Sequence, residues 1–145
     1  MEATVNATSG EVWAFDVDGC LIDLLGGASL RPHARELLTA LNERGVRCVL
    51  WSGGGARWAQ GKATQFGLGE LLDGYYGKPS RGPDGRWRFD HLPQRHRPAV
   101  CVDDSPGEVP LGVRIIGVSP YTAPNDHDQE FVRLCAQIAA TSSVY

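Results

Sequence analysis

Val12-Trp13-Ala14-Phe15-Asp16-Val17-Asp18-Gly19 is the stretch on which the fold turns. An apolar run this short, closed by charge and glycine, suits a strand buried on both faces of a parallel sheet. The strand cannot carry Asp16 and Asp18 into the core, because an unpaired buried carboxylate is too costly. Both acids therefore belong at its C-terminal end, the edge where open α/β sheets bind ligands. On an extended chain their side chains would point to opposite faces. A turn at Gly19 lets both reach one site. Taken alone, the tetrapeptide Asp-Val-Asp-Gly reads equally well as a solvated strand end, since Asp-Gly is ordinary turn chemistry.

The 145 residues suffice for one domain with a real core. Apolar and charged contents of 42% and 21% are those of a globular protein. A net charge of −3 argues against bulk affinity for nucleic acid, leaving only local basic patches to consider. Cys20, Cys48, Cys101 and Cys135 lack metal-binding spacing, and two of them lie inside apolar runs. Cys48 and Cys101 read as free cysteines packed as small hydrophobes, and the usual cytosolic reading outweighs a zinc site or disulfide framework. No run approaches the ~18 apolar residues of a membrane span, and the N-terminus has no signal-like core. A cytoplasmic protein is expected.

Working outward, residues 1–10 read as a flexible N-terminus and 11–145 as one α/β domain. Pro32, Ala34, Leu37, Leu38 and Leu41 predict a helix stopped by Gly45. Val46–Trp51 predicts a second strand ending at Ser52-Gly53-Gly54-Gly55, followed by a helix through Trp58, Ala59, Ala63 and Phe66. Leu71–Tyr76, Ala99–Val102 and Val113–Val118 supply three more strands. A last helix is expected from Asp126, with Gln129 completing a capping box and Phe131, Leu134, Cys135 and Ile138 as its stripe. Residues 80–98 read as a loop or hairpin insertion with a turn at Pro83-Asp84-Gly85. The alternation implies a parallel sheet with helices on both faces. Right-handed crossovers then bring every strand C-terminus to one edge. That edge collects Asp16 and Asp18, Ser52, Lys78, and Asp103 with Asp104.

Carboxylates, a hydroxyl and one ammonium suit the handling of a phosphoryl group with a hard divalent cation. Asp16 is the candidate nucleophile and Asp18 the acid, then base. Ser52 and Lys78 would hold phosphoryl oxygens. The glycines from Gly53 on would supply an anion-binding nest or simply a flexible turn. Four motifs carry a family resemblance: Phe15-Asp16-Val17-Asp18-Gly19, Leu50-Trp51-Ser52-Gly53, Gly77-Lys78-Pro79 and Val102-Asp103-Asp104-Ser105. In this order, over residues 11–108, they resemble motifs I to IV of the haloacid dehalogenase (HAD) superfamily.

The resemblance implies a Rossmann-like sheet of order 5-4-1-2-3, bound Mg2+ and an aspartyl-phosphate intermediate. It implies metal ligation by Asp16, by the backbone carbonyl of Asp18 and by Asp104, with Asp103 in support or as an alternative ligand. Glu108 stands where the family sometimes places a further acid, commonly aspartate. An acid at position 18 matches phosphatases of the superfamily. About thirty residues separate Gly19 from Ser52, and about twenty-five separate Ser52 from Lys78. Neither gap has room for a cap domain, so only a short flap over Leu24–Ser29 is expected. An open site suits a bulky or exposed phosphate, or closure by a neighbouring subunit in an oligomer.

Two other functions stay in view: a HAD-like binding or regulatory domain without turnover, and a polynucleotide-end phosphatase. The second draws on segment 81–97, whose five arginines against two aspartates give +3. That segment reads either as a solvated hairpin or as a clamp for an extended anion. Trp13 and Trp51 are expected in the core, Trp58 in helix packing, and His33, His91, His96 and His127 on the surface.

Overall fold

Strand β1 (Val12–Asp16) is the centre of a five-stranded parallel sheet in a computed structural model that describes residues 4–139. Around it stand β2 (Arg47–Ser52), β3 (Gly74–Gly77), β4 (Val100–Asp103) and β5 (Arg114–Gly117). The order is β3-β2-β1-β4-β5, which read from the opposite edge is 5-4-1-2-3. Helices α1 (Ala34–Glu43), α2 (Ala56–Gln65) and α3 (Glu130–Ala139) are the α-helices among the described residues. Among the described residues no helix is long and apolar enough to cross a membrane.

Alternation along β1 separates two cores. Trp13 and Phe15 face Leu37, Leu38 and Leu41 of α1, Ala59 and Ala63 of α2, and Phe131, Leu134 and Ile138 of α3. Val12 and Ala14 face the other way, toward Val49, Trp51, Cys101 and Val109, with Trp87 and Phe89 packed against them. All three helices thus share one face, which corrects the expectation of helices on both.

Crossover chirality explains the arrangement. From β1 through β2 to β3 the sheet grows in one direction, so right-handed crossovers put α1 and α2 on one face. The passage from β3 back across to β4, and on to β5, runs the opposite way and must use the other face. Residues 78–99 make that first passage, but Pro79, Pro83, Pro93 and Pro98 deny it a helix. It holds only the 3-10 turn Gln94–His96. Segment 80–98 is therefore a crossover that covers a sheet face. Its predicted turn is present: Gly82 N–H donates to Arg86 O at 2.8 Å, and Gly85 has φ +79°.

Smaller departures have local causes. Residues Gly69–Leu71 form a 3-10 turn, so β3 starts at Gly74 and not Leu71. The last helix starts at Glu130, four residues past Asp126. Its first amide donates to Asp128 Oδ1 at 3.3 Å, in place of the expected capping box. Residues ahead of β1 lie along the domain: Val5 N–H donates to Gln137 O at 3.1 Å, and Gly10 N–H to Gly45 O at 2.9 Å.

Candidate active site

Because all five strands are parallel, β1, β2, β3 and β4 deliver Asp16, Ser52, Gly77 and Asp103 to one sheet edge. Asp16 and Asp103 are buried there, and Asp104 is half-exposed. One carboxylate oxygen from each of Asp16, Asp103 and Asp104 lies within 4.8 Å of the others. Lys78, one residue past β3, places Nζ 2.8 Å from Asp16 Oδ1 and 3.6 Å from Asp103 Oδ2. The ammonium also sits 4.5 Å from the centre of the Trp51 ring and 5.9 Å from that of Trp87. Trp51 is thus in the core, as expected, and also walls the lysine.

Burial pushes the Asp16 carboxyl well above the usual range, and Lys78 offsets this only in part. Burial likewise raises Asp103 against the pull of Lys78. For Lys78 burial acts downward, yet Asp16 and Asp103 outweigh it and raise the ammonium. These directions agree on one picture: the lysine stays charged, and one cation does not neutralise three clustered carboxylates. The donors are hard oxygens with no thiol or imidazole among them, which suits Mg2+.

Gly19 explains how the acids approach so closely. Its φ is +79°, and a Cβ there would stand 2.7 Å from Asp104 Oδ2. Any other residue would be strained and would also push Asp104 away.

The remaining expected residues are distributed as follows. The Asp18 carboxylate is outside the three-acid cluster and accepts the indole N–H of Trp58, with Nε1 3.1 Å from both Oδ1 and Oδ2. Ser52 is buried; its Oγ accepts Gly54 N–H at 3.0 Å, and its carbonyl accepts Lys78 N–H at 3.0 Å. Gly53 is exposed in the turn leading to α2, whose N-cap is Gly55. Glu108 is not in the cluster but pairs with Arg81 at 2.9 Å. The flap hangs beside the site, with Leu24 N–H donating to Tyr121 O and Leu25 N–H to Thr122 O. The segments joining β1 to α1 and β2 to β3 otherwise contain only α2 and the 3-10 turn.

Several residues take roles the sequence did not signal. Trp58 is 39% exposed and contacts Asp18, where helix packing was expected. His96 is buried against the Tyr76 hydroxyl, not on the surface. His91 donates from Nε2 to Gly77 O at 2.8 Å, one residue from Lys78. Arg31 is fully buried behind β1 and binds Asp128. Nothing in their local sequence marks these contacts. All four cysteines are free thiols.

The arginines of segment 81–97 are largely spent on the protein itself. Arg88 pairs with Asp90 at 2.7 Å, Arg86 donates to Val109 O at 2.8 Å, and Arg97 to Leu92 O at 2.9 Å. A concavity of about 560 Å³ lies between Arg86–Asp90 and Pro110-Leu111, and none of the clustered acids lines it. No protein-family model and no curated protein matches the chain.

Proposed function

We propose that the chain is a capless, HAD-like phosphomonoester hydrolase that uses Mg2+ and forms an aspartyl-phosphate on Asp16. The observation that carries this reading is the meeting of Asp16, Lys78, Asp103 and Asp104 at one sheet edge. Asp16, Asp104 and the main-chain carbonyl of Asp18 would hold Mg2+, with Asp103 as support or alternative ligand. When bound, the ion supplies charge neutralisation at the transferring phosphoryl group.

The residues divide the remaining work. An Asp16 carboxylate oxygen attacks phosphorus while the bond to the leaving oxygen breaks, and Asp18 gives that oxygen its proton. Water then attacks the phosphorus of the acyl phosphate and gives a proton to Asp18. Cleavage of the phosphorus–Asp16 oxygen bond releases inorganic phosphate and restores the carboxylate. Lys78, held against Asp16 and two indole rings, binds phosphoryl oxygens without long-range rearrangement. Ser52, Gly53 and the positive N-terminal end of α2 offer further donors. With only a flap at the site, a bulky substrate or an exposed phosphate fits better than a small enclosed one.

The internal commitments of Arg86 and Arg88 leave a polynucleotide-end substrate without a supporting observation. A non-catalytic binding domain is separated from the enzyme by one assay. Phosphate release with Mg2+ is measured across sugar phosphates, nucleotides, phosphopeptides and 3′-phosphorylated oligonucleotides. Turnover that disappears in Asp16→Asn and in EDTA is expected. Activity that survives either treatment sinks the mechanism, and binding without turnover favours the regulatory domain.

A further inference from the structure

Helix α2 buries Ala59 and Ala63, and Trp58 lies off that stripe. The ring is 39% exposed beside the acids, so burial alone does not fix its orientation and its one polar atom is left to choose a partner. That atom is the indole nitrogen, whose N–H, a donor with no acceptor capacity, is aimed between the two oxygens of Asp18. We infer that Trp58 is a positioning residue for Asp18, and that Lys62 fixes the indole and ties it to the flap. The inference rests on the phosphatase reading and names what aligns its proton donor.

The surroundings are cut to fit this pair. A Cβ at Gly54 would stand 2.8 Å from Trp58 Cδ1 and 3.0 Å from its Cγ, so a side chain there would displace the ring. A Cβ at Gly27 would stand 3.1 Å from Lys62 Nζ. Lys62 Nζ lies 4.5 Å from the centre of the Trp58 ring, donating to Gly27 O at 2.8 Å and to Gln65 Oε1 at 3.0 Å. The lysine therefore holds the ring through cation–π attraction and the flap through a carbonyl at once. Asp18 itself lies past the end of β1, bridged to Ile22 through its backbone and followed by a glycine of positive φ, while its carboxylate takes its hydrogen bond from the Trp58 indole.

An aligned acid helps most where the leaving oxygen is most basic. Trp58→Phe keeps an aromatic ring but removes the N–H together with the pyrrole half of the indole, so the melting temperature is measured beside the rates. In single-turnover assays with Mg2+, it should slow an alkyl phosphate at least about tenfold more than an activated aryl phosphate, part of the 10²–10⁴ general acids supply. Lys62→Met should shift the same ratio in the same direction by less. A purely structural role would lower both substrates together and lower the melting temperature as well.

The contact has its own readout. The Trp58 indole N–H resonance, assigned by its loss in Trp58→Phe, should move in Asp18→Asn without substrate. A resonance that stays put overturns the contact. An active wild type with an unchanged alkyl-to-aryl ratio in Trp58→Phe overturns the positioning role. A wild type that releases phosphate from no ester overturns the phosphatase reading and the role with it, and that result precedes any variant.

Discussion

The guanidinium of Arg31 forks onto the carboxylate of Asp128, with Nε 2.8 Å from Oδ1 and Nη2 3.0 Å from Oδ2. The same side chain donates to Ser119 O at 2.6 Å and Cys20 O at 3.2 Å and lies 5.2 Å from the Phe131 ring centre. It ties the turn after β1 to the chain between β5 and α3. The expectation is that Arg31→Met destabilises by about 3–5 kcal/mol, because Asp128 is left unpaired and two carbonyls lose a buried donor. That corresponds to a melting temperature lower by roughly 10 °C. Arg31→Lys should rescue little, since a point ammonium cannot fork. A loss below about 1 kcal/mol in urea unfolding would contradict this account.

Metal should register in stability even without turnover. Three clustered carboxylates share one lysine, so a divalent cation that binds the folded state raises its melting temperature. At a hundredfold excess over Kd the gain is about 2.7 kcal/mol. The increment between EDTA and Mg2+ should vanish in Asp104→Asn and survive in Asp18→Asn, whose carboxylate lies outside the cluster. Identical melts with and without Mg2+ would rule out the cation site.

The crossover on the second sheet face makes an opposite pair of predictions for neighbouring residues. Phe89 packs on Trp51 with ring centres 4.5 Å apart, so Phe89→Ala should cost about 2 kcal/mol. The Arg88–Asp90 pair is exposed at both ends, and Arg88→Ala should leave the urea midpoint unchanged. If Arg86→Ala with Arg88→Ala instead raised KM selectively for an extended anionic substrate, the segment would be a clamp.

Glu130 gives the acid limb a specific contributor. Burial alone would raise its carboxyl, but the Ser119 amide and hydroxyl, at 2.6 and 2.8 Å, outweigh it and lower the group. A depressed acid contributes stability above its unfolded value and loses it as pH falls through the folded one. Glu130→Gln should therefore melt lower than wild type at pH 7. The gap should close as pH falls below the ordinary glutamate range. A gap that persists in acid would assign the effect to packing.

What the sequence determined by itself is local. An apolar run cut off by charge can only end where water or a ligand begins, so the strand ends with Asp16, Ser52, Lys78 and Asp103 were readable one by one. Parallel pairing then required them to share an edge. Chirality places α1 and α2 on one face, but strand–helix alternation does not say whether the return crossover is helical, so the expectation of helices on both faces fails there. The prolines of 78–99 were visible, yet only the folded sheet shows that an irregular crossover with Trp87 and Phe89 suffices to cover it.

Tertiary structure alone decided the contacts that cross the chain. Periodicity puts Trp58 on a given side of α2 and says nothing of Arg31, which precedes α1, and in neither case does it show what stands opposite. Asp18 is forty residues from Trp58, and Asp128 is ninety-seven from Arg31. His96 is buried for the same reason: its partner, the Tyr76 hydroxyl, arrives from β3, and burial holds its imidazole below the usual range. Spacing in the chain carries no distance in space until the sheet closes, so these pairs exist only in the fold.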